Sequence, residues 1–95
     1  MSTPKTYKVS HILVPHQYEA EDLLKRLQKG EAFEELARKH SSCPSASNGG
    51  DLGTLRLGQA VEDFEEAALV LSPGETSSKP VRTRFGYHIL KRNGP

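Results

Sequence analysis

The chain has no apolar run long enough to cross a bilayer, so a transmembrane helix is excluded. Its first residues, Met1-Ser2-Thr3-Pro4-Lys5-Thr6, lack the apolar stretch of a secretory signal. One cysteine, Cys43, cannot form an internal disulfide and suits a reducing compartment, so cytoplasm is the expected location. Charge of one sign is missing too: 13 Lys and Arg face 12 Asp and Glu, a formal net charge of +1. That balance argues against a dedicated nucleic-acid binder or a binder of anionic membranes. No internal repeat is visible, and only residues 1–5 and 93–95 read as tails. Sustained heptads are absent, and a monomer is expected. At 95 residues the chain is one domain, with a core too small for a large cofactor cavity. No cofactor is expected.

What the chain does have is two histidines inside short apolar runs near its two ends. Ser10-His11-Ile12-Leu13-Val14 and Phe85-Gly86-Tyr87-His88-Ile89-Leu90 both read as strands, rich in β-branched or aromatic residues. An imidazole in a buried strand needs partners once water is gone. If the two strands pair in one sheet, each ring can satisfy the other.

Between them the pattern alternates helix and strand. The first strand spans about Tyr7 to Val14, with Ile12 and Val14 on one face and Val9, His11 and Leu13 on the other. Leu23, Leu24 and Leu27 form a helical stripe over Tyr18–Lys29, with acids in the first turn, bases in the last and Gly30 as a stop. A second helix covers Ala32–His40. Ser41 to Asp51 is a run of turn formers without period, long enough in so small a domain to suggest a functional loop. Leu52–Leu57 reads as a strand, Val61–Leu71 as a helix, and Glu75–Val81 and Gly86–Arg92 as extended segments. Each helix has one apolar stripe to cover, so helices packed around one small sheet, an α+β domain, are expected.

Taken together, these segments resemble the parvulin family of peptidyl-prolyl cis/trans isomerases. The residues carrying the resemblance are Ser10-His11-Ile12-Leu13-Val14, Ser42-Cys43-Pro44-Ser45, Gly49-Gly50-Asp51-Leu52-Gly53, Gly58-Gln59, Phe64-Glu65, Ser72-Pro73-Gly74-Glu75, Pro80-Val81 and Phe85-Gly86-Tyr87-His88-Ile89. They stand in family order and cover almost the whole chain. The resemblance implies a four-stranded antiparallel sheet surrounded by three to four helices. It further implies that His11 and His88 are linked through ring nitrogens, with Thr83 holding one imidazole and Cys43 beside the reacting peptide bond. Leu52 and Phe64 fall on the walls of a proline pocket and Gln59 at its rim. Ala60 departs from the family's usual methionine, which should weaken that pocket. Between the first strand and first helix only Pro15-His16-Gln17 occurs, with no basic cluster to pair a phosphate. The chain therefore resembles the phosphate-independent kind, with the residue before proline apolar or weakly selected.

The implied activity is rotation about X-Pro bonds in flexible or unfolded polypeptides, with no metal or cofactor. The alternative is a proline-peptide-binding or chaperone module with little turnover, which Ala60 favours. Two enzymatic rivals are weaker. A cysteine hydrolase built on Cys43 lacks any local oxyanion-hole signature. A zinc site of Cys43, His11 and His88 fits no compact ligand spacing. Several of these residues also have simpler readings: Phe64 as core, Thr83 as an ordinary strand residue, Cys43 as a small hydrophobe.

Overall fold

A computed structural model describes residues 5–94. Its elements are β1 (Thr6–Val14), α1 (Gln17–Gln28), α2 (Phe33–His40), a 3-10 turn (Pro44–Asn48), β2 (Asp51–Arg56), α3 (Glu62–Leu69), β3 (Val81–Thr83) and β4 (Gly86–Gly94). The four strands form one sheet in the order β2-β1-β4-β3, every neighbouring pair antiparallel. This is the α+β architecture expected, and the chain's first and last strands are its centre.

The two-residue alternation along β1 and β4 splits the core in two. On one face Ile12, Val14 and Ile89 pack against Ala20, Leu23 and Leu24 of α1 and Phe33, Leu36 and Ala37 of α2. On the other, Tyr7, Val9 and Leu90 meet Phe64 and Ala68 of α3 and Leu71 beyond it. Because α3 is only eight residues long, it leaves part of this second face open.

Three expectations need correction. Asn93 and Gly94 are not a tail: they complete β4, and the Asn93 amide donates to Ser10 Oγ across the sheet at 2.8 Å. Lys5 is also held, its carbonyl accepting from the Leu57 N–H, while residues 1–4 and 95 lie outside the described residues. Nor is Glu75–Val81 a continuous strand. Thr76 makes an isolated bridge to Lys91 and Ser77 bonds Leu90, but β3 proper is only Val81–Thr83, and the register slips between the two pairings. Pro80 has no N–H to offer the ladder, so Ser78-Lys79-Pro80 bulges out. The 41–51 connection, in turn, is not structureless, since Pro44–Asn48 winds into its 3-10 turn.

That connection is stitched to β1 where the first histidine sits. The His11 N–H donates to the Gly50 carbonyl at 2.9 Å, and the Ser42 N–H to the Leu13 carbonyl at 2.7 Å. Ser41 Oγ accepts from the Leu13 N–H at 3.0 Å. The backbone approach at Gly50, with φ of 86°, is so close that a Cβ there would collide with the His11 carbonyl. Gly50→Ala is therefore expected to cost about 1–3 kcal/mol from the left-handed φ, with the collision adding to it. A lowered urea midpoint with an unchanged slope is the expected readout.

Candidate functional site

His11 lies opposite Leu90 and His88 opposite Leu13 in the β1–β4 register. The two histidines are thus diagonal neighbours on one face, within reach for long side chains. Their Nδ1 atoms are 2.9 Å apart, and the rings are stacked with centroids 5.1 Å apart. One Nδ1 donates and the other accepts. Thr83 Oγ1 stands 2.7 Å from His88 Nε2 and accepts from the Phe85 N–H at 3.2 Å. With that backbone donor in place, the Thr83 hydroxyl is free to donate to His88 Nε2. With Thr83 donating, His88 Nδ1–H donates to His11 Nδ1; with the opposite tautomers every direction along the chain reverses. In either case His11 Nε2 is buried without a partner among the described residues. Thr83 is buried and reaches the site only through His88.

Both imidazoles are almost fully buried, and Phe64 presses edge-on against each, at 5.5 Å and 5.2 Å between centroids. Burial pushes the pKa of each histidine down to about 4, and the neighbouring His11 lowers His88 further. At neutral pH the pair is uncharged, so the site is a polar but neutral floor.

Above that floor is a hollow of about 540 Å³. The structure brings His11, His88, Cys43, Leu52, Gln59, Ala60 and Phe64 to its lining, all of them residues named from the sequence. It adds Leu13, Leu55, Val61, Arg84 and Phe85, which were not named. For Leu13 a signal existed, since it shares the face of His11 on β1. Leu55 was harder to foresee: Leu52 and Leu55 are three apart, so strict alternation would set them on opposite faces. A bulge in β2, where Gly53 takes φ of 72°, resets the alternation and turns both inward. Phe85, 59% exposed in the β3–β4 turn, carried no periodic signal at all.

The rim from Arg56 to Ala60 is held by side chains. Gln59 Oε1 accepts from the Arg56 N–H at 2.9 Å, so the residue staples its own turn as well as lining the hollow. Glu65, one step beyond Phe64 on α3, accepts from the Gly58 N–H at 2.9 Å and from the buried Tyr7 hydroxyl at 3.1 Å. Burial first, and then Glu65, push the Tyr7 phenol up to about 12.

Neither rival chemistry gains support from this geometry. A metal ion needs free ligand atoms, yet three of the four ring nitrogens are engaged with each other or with Thr83. Among the described residues no three His, Cys, Asp or Glu side chains converge to hold an ion. Cys43 is half-buried at the wall and bonds neither imidazole, so it has no base to activate it.

Two outcomes follow from this site. An unfolded histidine titrates near 6.5 and the folded pair near 4. Over that interval the unfolded chain binds more protons, so stability is full above about pH 6.5 and falls as pH drops towards 4. Urea midpoints measured from pH 7 to 4.5 should decline, and the decline should be smaller in His88→Asn. Removing the clasp by Glu65→Ala should cost about 1–3 kcal/mol, chiefly by leaving the buried Tyr7 hydroxyl unpaired. It should also bring the Tyr7 titration, followed by phenolate absorbance, part of the way back towards 10, the remainder being held by burial.

Comparison with known proteins agrees with this geometry. Residues 11–94 match the rotamase family, described as the PPIC-type PPIASE domain. Foldase protein PrsA of Bacillus subtilis (strain 168) is 50% identical over 86 residues, covering 90% of this chain and 29% of the relative. The crystal structure of PrsA from Bacillus subtilis aligns with a TM-score of 0.91 and 47% identity, covering 96% of this chain and 36% of that one. NmPin, the parvulin of Nitrosopumilus maritimus, aligns with a TM-score of 0.84 and 42% identity, covering 98% of this chain and 100% of that one. The chain spans less than a third of the length of the Bacillus subtilis relative. A family match over nearly all of this chain, on top of the paired imidazoles, leaves one assignment: the chain belongs to the parvulin family of peptidyl-prolyl cis/trans isomerases, as a PPIC-type domain.

Proposed function

We propose that this domain accelerates cis/trans rotation about X-Pro peptide bonds in flexible or unfolded polypeptides, without a covalent intermediate. The observation that carries the reading is an apolar hollow floored by two neutral, mutually bonded imidazoles. Rotation about a peptide bond faces a barrier of about 18–20 kcal/mol because the C–N bond has partial double-bond character. At X-Pro the isomers differ by only about 0.5–1 kcal/mol, yet exchange takes tens to hundreds of seconds. A catalyst need only bind the twisted bond better than either planar form.

Leu52, Phe64 and Val61 grip the prolyl ring and take it from water. Stripping water from the amide disfavours its charge-separated planar resonance form and so lowers the barrier to rotation. The His11–His88–Thr83 chain keeps the floor polar, rigid and uncharged. It moves no proton to substrate. Cys43 supplies a soft, polarisable wall beside the bond. No phosphate is required on this reading, because Pro15-His16, between β1 and α1, carries no lysine or arginine.

A second reading has its own support. Ala60 lines the hollow where the family usually places methionine, and PrsA is named a foldase. A shallower grip with weak turnover would suit a chaperone-like holder of unfolded chains. The single cysteine supports a reducing, cytoplasmic setting for the domain.

An exchange-NMR assay on a Leu-Pro peptide separates the two readings. Turnover well above the uncatalysed rate is expected, and a rate equal to it with retained peptide binding would favour the holder. His88→Ala should fall at least tenfold in kcat/KM while keeping its circular dichroism; unchanged turnover in a folded variant rejects the role given to the pair. Ala60→Met should lower KM severalfold, about 1 kcal/mol of extra apolar contact, with little change in kcat.

A further inference from the structure

The hollow's lining contains one formally charged side chain, Arg84. Neither Glu62 nor Asp63, which flank the far wall at the start of α3, lines it. Arg84 and Phe85 also line a second depression of about 580 Å³ on the other side of the β3–β4 turn. Its remaining lining includes Arg82, His16 and Tyr18, the last two stacked at 5.3 Å and nearly parallel. No carboxylate lines either cavity, although the chain has 12 acidic residues.

Arg82 and Arg84 are exposed, and neither takes part in an ion pair among the described residues. Arg84 instead lies over its neighbour Phe85, 5.0 Å from the ring centroid. That cation–π contact holds the guanidinium at the mouth of the hollow while leaving its N–H donors open. A polypeptide whose proline sits in the hollow must leave it somewhere, and the exposed Phe85 ring is an apolar step leading out.

On the reading proposed above, we infer that Arg84 is a specificity-determining residue. It selects a carboxylate side chain, Asp or Glu, next to the proline of the bound segment. This replaces the apolar or weak selection expected from the β1–α1 segment. That segment holds no lysine or arginine, but the β3–β4 turn brings an arginine to the hollow from the other end of the chain. The contact is solvent-exposed, so its effect is modest and salt-sensitive. It acts on which chain is held, and the hollow and its imidazoles still do the chemistry.

The test compares hexapeptides that differ only beside the proline: Glu, Lys or Leu before it, and Glu or Lys after it. Exchange NMR gives kcat/KM, and titration of amide shifts gives Kd for the same peptides. The wild-type domain should favour Glu over Lys by about two- to fivefold on at least one side, the range of an exposed ion pair. That ratio should collapse towards one in 0.5 M NaCl and invert in Arg84→Glu. Reading a ratio within each protein cancels any general loss of activity. If Glu and Lys peptides are equivalent, or the preference survives Arg84→Glu, the inference is overturned. The outcome for the isomerase reading is separate. If no peptide is turned over but Glu peptides bind more tightly in an Arg84-dependent way, isomerisation falls and the selection stands.

Discussion

The β1–β4 register is the constraint on which the rest of the molecule depends. It sets His11 and His88 two steps apart on one face, so that a single 2.9 Å hydrogen bond joins the ends of the chain. A slip of one residue would send one imidazole to the α1–α2 core and strand a polar ring among Leu23, Phe33 and Leu36. The devices that prevent such a slip are visible around it. The 42–50 connection bonds His11 and Leu13 directly, and Asn93 ties to Ser10 near the other end of the pairing. Folding and site assembly are therefore one event, because the strands that make the central pair also carry the two rings.

Neutrality is the chemical consequence. A histidine pair in water would be partly protonated near pH 6.5, and two like charges this close would repel. Burial under Phe64 removes that option, and Thr83 closes the chain of hydrogen bonds on one side. What results is a floor of fixed dipoles with no net charge. Such a floor suits a reaction in which a bond twists and loses charge separation and no group is transferred.

The opposite pattern holds at the hollow's rim, where charge is used and solvent is present. Glu65 spends its carboxylate on backbone and phenol, pinning the Arg56–Ala60 turn rather than facing substrate. Arg92 does similar work at the far end of α3. Its guanidinium donates to the carbonyls of Leu69 and Leu71, where the helix dipole is negative. Arg84 is left without such an engagement, and it is the one charge that lines the hollow. Among the described residues the half-buried or buried charges Arg26, Glu65, Lys91 and Arg92 each have a partner, while the exposed Arg84 at the cavity has no ion pair.

Much of this was legible in the residues. The stripes of α1, α2 and α3, the alternation of β1 and the turn signals at Gly30 and Pro73-Gly74 placed the elements within a few residues. The resemblance then placed His11, His88, Thr83, Cys43, Leu52, Gln59, Ala60 and Phe64 around one site. What failed failed for stated reasons. Asn93 and Gly94 look like a polar end but are paired by a neighbouring strand, and Glu75–Val81 reads as extended but is interrupted at Pro80. Arg92 gives no hint in its own segment that it caps a helix ending 23 residues earlier in the chain.

By itself, then, the sequence determined local periodicity, the two apolar faces and which residue types were available for chemistry. These follow from spacing and side-chain type alone. Only the tertiary structure decided the proton-bearing contacts, the inward turn of Leu55, the clasp of Glu65 and the arrival of Arg84 and Phe85 at the hollow. Each of those depends on register, on a bulge, or on a turn packing against a distant strand. Pattern along a chain carries no distance between its ends, and it is that distance which makes a site.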